Sequence, residues 1–143
     1  MIKKSIETTY QGGLRVGMIH LKSGSQIQTD APTDNNGKGE AFSPTDLLAA
    51  SLASCVLTIV GIHYQKKDIE LEEMTCDVQK IMYPDPRRIG EILLEFDFGN
   101  NNFQRKDLEV IQRIVETCPV TLSLNESIKI ETNIPHLLGE FDK

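Results

Sequence analysis

Two of the three cysteines stand where a thiol can be put to work: Cys55 inside a continuous apolar run, and Cys118 directly before Pro119. The reactive species of cysteine is the thiolate, and an ordinary thiol is mostly protonated at neutral pH. Each therefore needs a helix N-terminus or a neighbouring cation to become a nucleophile. Cys118 obtains such help from its position. Pro119 disfavours helical geometry in the residue before it and suits the first position of a helix, which predicts a short helix over about 119–124 with Cys118 as its cap. Cys55 lies about three turns inside its own helix, beyond the reach of the terminal field, and needs a cation brought from elsewhere. Without one it is a small buried hydrophobe, the commonest role of an interior cysteine. Cys76, between Thr75 and Asp77 on a predicted strand, reads as a packing residue.

The helix that must position Cys55 announces its start. In Phe42-Ser43-Pro44-Thr45-Asp46, Ser43 can cap the first amides and Pro44 lacks the amide that would go unpaired. Asp46 can close a capping box and favours the positive end of the dipole. From Leu47 to Ile62 only Ser51, Ser54, Thr58 and Gly61 interrupt Leu, Ala, Val, Ile and Cys. Apolar residues cover every side, so the helix is expected to be buried all round. It reads as too short and too rich in hydroxyls for a bilayer span of roughly 20 apolar residues. A single domain of residues 1–143 is small for enclosing such a helix, so a partner subunit is expected to supply part of the sheath. Ala49, Ala50, Ser51, Ala53 and Ser54 allow close helix approach, which predicts a homodimer with this helix near its interface.

Composition excludes some partners. Lys plus Arg number 15 against 21 Asp plus Glu, a formal charge of −6, with no basic run or face. Neither nucleic acid nor an anionic membrane surface is expected to bind. The segment Met1–Glu7 has no apolar core after its lysines and no cleavage site, which predicts a cytoplasmic chain without a signal peptide. An odd count of three cysteines in a reducing compartment speaks for free or redox-active thiols. His20, His63 and His136 are widely spaced and make no metal-ligand pattern, and Gly12-Gly13 is a turn signal, not a phosphate loop.

The remaining pattern is α+β without repeats. Residues about 2–10 and 14–21 flank Gln11-Gly12-Gly13 as a hairpin, with a third strand near 25–30. Residues 30–39 are loop, full of turn formers. Strands over about 71–83 and 88–98 join through Pro84-Asp85-Pro86, with Thr75, Asp77, Gln79, Glu91, Glu95 and Asp97 alternating with apolar neighbours. An amphipathic helix over about 104–117 carries Leu108, Ile111, Ile114 and Val115 on one stripe. A last strand near 127–133 and a tail from Pro135 close the chain.

The run Phe42-Ser43-Pro44-Thr45-Asp46-Leu47-Leu48-Ala49-Ala50-Ser51-Leu52-Ala53-Ser54-Cys55, followed 63 residues later by Cys118-Pro119-Val120, resembles the osmotically inducible protein C and organic hydroperoxide resistance (OsmC/Ohr) superfamily. The resemblance covers nearly the whole chain. It implies an OsmC-like fold with three N-terminal strands, a long central helix, further antiparallel strands and a second helix. It also implies an intertwined homodimer with two sites at the subunit interface and no metal or bound cofactor. The implied activity is a thiol peroxidase. Cys55 attacks an organic hydroperoxide and becomes a sulfenic acid, Cys118 closes a disulfide with it, and a dithiol such as dihydrolipoamide reopens that disulfide.

Such proteins usually carry a Glu where this chain has Thr45, which cannot pair with an activating Arg. Glu40 is then the substitute carboxylate, since Asp46 has a capping role. Arg15 is the candidate cation, with Lys38 as the fallback. The Thr45 substitution keeps two other classes open: a non-catalytic protein binding a small hydrophobic ligand in the dimer cavity, and a redox sensor.

Overall fold

The computed structural model describes residues 3–143; Met1 and Ile2, where the first predicted strand and the N-terminal segment begin, lie outside the described residues. The chain divides into two compact units, Met1–Leu48 and Ala49–Lys143.

The first unit is an antiparallel sheet of β1 (Ile6–Gly12), β2 (Arg15–His20) and β3 (Gln26–Asp30), in that order. β1 and β2 turn through Gly12, Gly13 and Leu14, whose φ angles of 85°, 60° and 61° are left-handed, so glycine supplies two of the three strained positions. The β2–β3 register sets Arg15 directly opposite Asp30. After β3 the chain folds back tightly. The Ala31 amide bonds to the Leu14 carbonyl, the Asp30 amide to the Phe42 carbonyl, and the Gly37 amide to the Pro32 carbonyl. Gly37 is required here, because a Cβ would stand 1.7 Å from the Ala31 carbonyl oxygen.

The predicted helix start is observed. Ser43 Oγ accepts the Asp46 amide at 3.0 Å, and the Asp46 carboxylate accepts the Ser43 amide at 2.9 Å, a reciprocal box that opens α1 (Pro44–Gln65).

The second unit takes up α1 from Ala49 onward. Ala49, Leu52, Ala53, Val56, Val60 and Tyr64 are buried at the helical repeat, while Ser51, Ser54, Thr58 and Ile62 are exposed. Within the single chain one face of the helix packs into the core and the other is exposed, so burial all round is not reached without a partner. The expected shortness for a bilayer span is corrected. Twenty-two residues rise about 33 Å, enough to cross a bilayer by length alone, so it is the packing of its stripe and not its length that marks it as a core helix.

The partners of that stripe are β5 (Arg87–Asp97), which lies between β4 (Thr75–Pro84) and β6 (Lys129–Thr132) in its sheet, and α2 (Arg105–Thr117); Ile89, Ile92, Leu94, Phe96, Leu108, Ile111 and Val115 form one cluster with it. Tyr64 anchors the end of α1, its hydroxyl donating to Asp107 at 2.5 Å and its ring stacking on Phe103. β4 and β5 form the expected antiparallel hairpin, with alternate residues of β5 buried. β6, however, lies parallel to β5, not antiparallel. The reason is the connection: the chain passes through α2 and α3 (Pro119–Ser123) before returning, and a helical crossover delivers a strand in the same direction. The predicted tail contains a helix, α4 (Ile134–Glu140), with Pro135 in its first turn and Ile134 fully buried.

Candidate active site

Cys118 ends α2 and caps α3. Its amide bonds to the Ile114 carbonyl at 2.9 Å, and its extended backbone turns the chain so that Pro119 opens the next helix. Its sulfur accepts the Thr121 amide at 3.4 Å and lies 3.2 Å from Thr121 Oγ1, and the residue is 1% exposed.

Cys55 is half-buried on α1. Burial pushes its thiol above the ordinary value of 9.0; the Val120 amide pulls it down, and the neighbouring Cys118 thiol pushes it up again. Residues far apart in sequence therefore share one site in the second unit. Successive amides of α3 serve the two sulfurs, Val120 on Cys55 and Thr121 on Cys118. Sequence reasoning assigned the α3 terminus to Cys118 alone; that Cys55 draws on it too depends on how α1 and α3 pack.

Cys76 is a different kind of thiol. It stands on β4 opposite Phe96, and burial, aided by the Asp77 charge, pushes it up to about 12. At neutral pH it is protonated, as a packing residue should be.

The first unit holds a charged cluster. Arg15 grips Asp30 with two parallel bonds, Nε to Oδ1 at 2.7 Å and Nη2 to Oδ2 at 2.8 Å, and Nη2 also reaches Glu40 Oε2 at 2.9 Å. The hydrogen bonds it donates to Asp30 and then to Glu40 push the guanidinium further above its already high value. Asp30 is 1% exposed, and the guanidinium holds its carboxyl below the usual 3.8, with smaller contributions from the Glu40 amide and the Lys38 charge. Glu40, the candidate carboxylate, is the exposed partner of the three.

Asp30 was not among the residues singled out from sequence. The signal was present in the hairpin register, because an Arg opposite an Asp on neighbouring strands shares a face with it. Thr45 is no surrogate acid: its hydroxyl lies 3.1 Å from Ser43 Oγ, within the helix cap. Among the described residues, no group of three His, Cys, Asp or Glu is arranged to hold a metal ion.

The Asp30 pair has a testable pH signature. Because the folded pKa is depressed, the stability it contributes is fully present above the unfolded value near 3.8 and is lost as pH falls through the folded one. Asp30→Asn is therefore expected to lower Tm at pH 7, and the gap from wild type should close as pH drops below about 4. Thermal unfolding followed by circular dichroism across pH 3–7 checks it; a gap constant with pH would mean that Asp30 acts through packing alone.

The family described as OsmC-like protein matches residues 37–133. A solved structure of a proposed osmotic stress induced and detoxification response protein from Psychrobacter arcticus 273-4 is 45% identical, with a TM-score of 0.88, covering 92% of this chain and 96% of that one. An OsmC-like protein from Mycoplasma pneumoniae shares the fold at 23% identity and TM-score 0.73, covering 93% and 96%. An organic hydroperoxide resistance protein from Legionella pneumophila shares it at 18% identity and TM-score 0.66, covering 92% and 97%. No curated protein matches the chain.

Proposed function

Because this chain belongs to the OsmC-like protein family, we propose that it is a thiol peroxidase that reduces organic hydroperoxides through Cys55 and Cys118. One observation carries this reading: Cys118 and the Val120 amide beside it are the groups that act on the Cys55 thiol, and the Cys118 sulfur is itself held by the Thr121 amide. A thiol with a second thiol beside it and a fixed donor aimed at its sulfur is equipped to be oxidised and then resolved.

In the first step the Cys55 thiolate attacks the distal oxygen of ROOH, the O–O bond breaks, and with one proton the products are Cys55 sulfenic acid and ROH. In the second step Cys118 attacks that sulfur; the S–O bond breaks, the S–S bond forms, and the displaced hydroxyl leaves as water with the Cys118 proton. A dithiol then restores both thiols and leaves as its own disulfide. The half-buried position of Cys55 against the apolar core favours an organic hydroperoxide over hydrogen peroxide.

Ionisation of Cys55 needs more than its own unit provides, since burial and Cys118 both push the thiol up. Arg15 is the proposed activating cation, with Glu40 as its exposed carboxylate partner and Asp30 as its anchor. A cytoplasmic homodimer is part of the same reading; the exposed side of α1, with Ser51, Ser54, Thr58 and Ile62, supports a second copy there.

The test is stopped-flow consumption of cumene hydroperoxide with dihydrolipoamide supplied, and peptide mass mapping of the product. A Cys55–Cys118 disulfide is expected, and the pH midpoint of the first step should fall below the ordinary 9.0 in wild type and rise above it in Arg15→Met. A protein that consumes no hydroperoxide and copurifies with an apolar ligand would be a binding protein instead.

A further inference from the structure

Thr121 stands at the centre of the Cys118 contacts, and its single hydroxyl proton settles their direction. Thr121 Oγ1 lies 2.6 Å from the Val115 carbonyl of α2, which can only accept, so the hydroxyl donates there. The 3.2 Å contact between Oγ1 and the Cys118 sulfur must then run the other way, with the thiol donating and Oγ1 accepting. The Thr121 amide meanwhile donates to the same sulfur at 3.4 Å. One residue thus holds the thiol from its amide and its hydroxyl, and the hydroxyl is itself tied to the preceding helix.

A cysteine side chain has one rotatable bond before its sulfur, and its staggered positions point the sulfur in different directions. Two contacts from Thr121 select among them, and the selected position is the one from which Cys118 acts on the Cys55 thiol. We propose that Thr121 is the positioning residue for the resolving cysteine: it holds the Cys118 sulfur toward Cys55 and thereby sets the rate of disulfide closure without touching the first oxidation. The proposal rests on Cys55 and Cys118 being a resolving pair, though not on a hydroperoxide being the oxidant.

The closing experiment uses two oxidants. In the first arm, cumene hydroperoxide oxidises Cys55, and closure is timed against trapping of the sulfenic acid by dimedone. In the second, the Cys55 thiol adds across the N=N bond of diamide to form an S–N adduct, and Cys118 attacks that sulfur, breaking the S–N bond and releasing the reduced hydrazine with the same disulfide, so closure is read without any peroxidase chemistry. Thr121→Val keeps the shape and removes the hydroxyl, and Thr121→Ser restores it. Thr121→Val is expected to slow closure about tenfold in both arms, with more sulfenic acid trapped and the first step within about twofold of wild type. Thr121→Ser should return closure to within about twofold of wild type.

If Thr121→Val does not fold, Thr121→Ala carries the same expectation. Closure at the wild-type rate in the folded variant overturns the proposal, as does equal slowing by Val and Ser, which would mark a packing effect. Absence of a Cys55–Cys118 disulfide in wild type with either oxidant overturns it too. Wild type that closes with diamide yet ignores the hydroperoxide overturns the peroxidase reading and leaves the role of Thr121 standing.

Discussion

Cys55→Ser is expected to reduce hydroperoxide consumption to the rate of the dithiol alone, a loss of about 10⁴-fold or more. The size follows from chemistry, not from folding. Serine differs by one atom, and Cys55 is half-buried on a helix already carrying Ser51, Ser54 and Thr58, so α1 should form as before. A hydroxyl at this position has no accessible alkoxide and cannot pass to a sulfenic acid, so the reaction has neither nucleophile nor intermediate. Stopped-flow assays with cumene hydroperoxide, alongside thermal unfolding to confirm the fold, give the measurement. Retained activity in this variant removes Cys55 from the reaction and the peroxidase reading with it.

Cys118→Ser should behave quite differently. The first oxidation of Cys55 proceeds, and no more slowly than in wild type, because the Cys118 thiol is one of the groups that pushes the Cys55 thiol up. What disappears is closure. One equivalent of hydroperoxide is consumed in a burst, and steady turnover then falls by about 100-fold, since the sulfenic acid must wait for a thiol from solution instead of one held in contact. Dimedone labels Cys55 in this variant and hardly at all in wild type. With excess hydroperoxide the stalled sulfenic acid advances to the sulfinic state, which a dithiol cannot reverse, so Cys118→Ser should inactivate during assay while wild type does not. Equal turnover in the two proteins would assign the second step to a solution thiol and leave Cys118 as a cap.

The two variants separate roles that the structure presents together. Cys118 is at once the end of α2, the cap of α3 and a neighbour of Cys55, so its replacement is informative only through the burst and the label. Cys76 serves as the internal control: held protonated by burial and Asp77 on β4, it should take up neither oxidant nor label.

Much of this was legible from residues alone, for local reasons. The start of α1 is written in Ser43, Pro44 and Asp46, because a cap and its box involve atoms within four residues of one another. The break at Cys118-Pro119 is legible for the same reason: proline constrains only itself and its predecessor. The stripe of α2 and the hairpin of β4 and β5 follow from periodicity. The helix α4 escaped, although Pro135 is a helix-start signal, because its seven residues offer too little repeat to reveal a face. The parallel course of β6 escaped because strand direction belongs to the connection and not to the strand.

The residue types and their order determined by themselves that two cysteines, one mid-helix and one before a proline, were the groups able to do chemistry. Only the tertiary structure decided that Cys118 and Val120 act on the Cys55 thiol, that Thr121 holds the Cys118 sulfur, and that Asp30 rather than Glu40 holds Arg15 most tightly. The physical reason is range. Capping, proline geometry and periodicity act over a few consecutive residues, whereas a sulfur's donors and an arginine's partners are set by strand register and helix packing, which bring together residues that sequence separates by tens of positions.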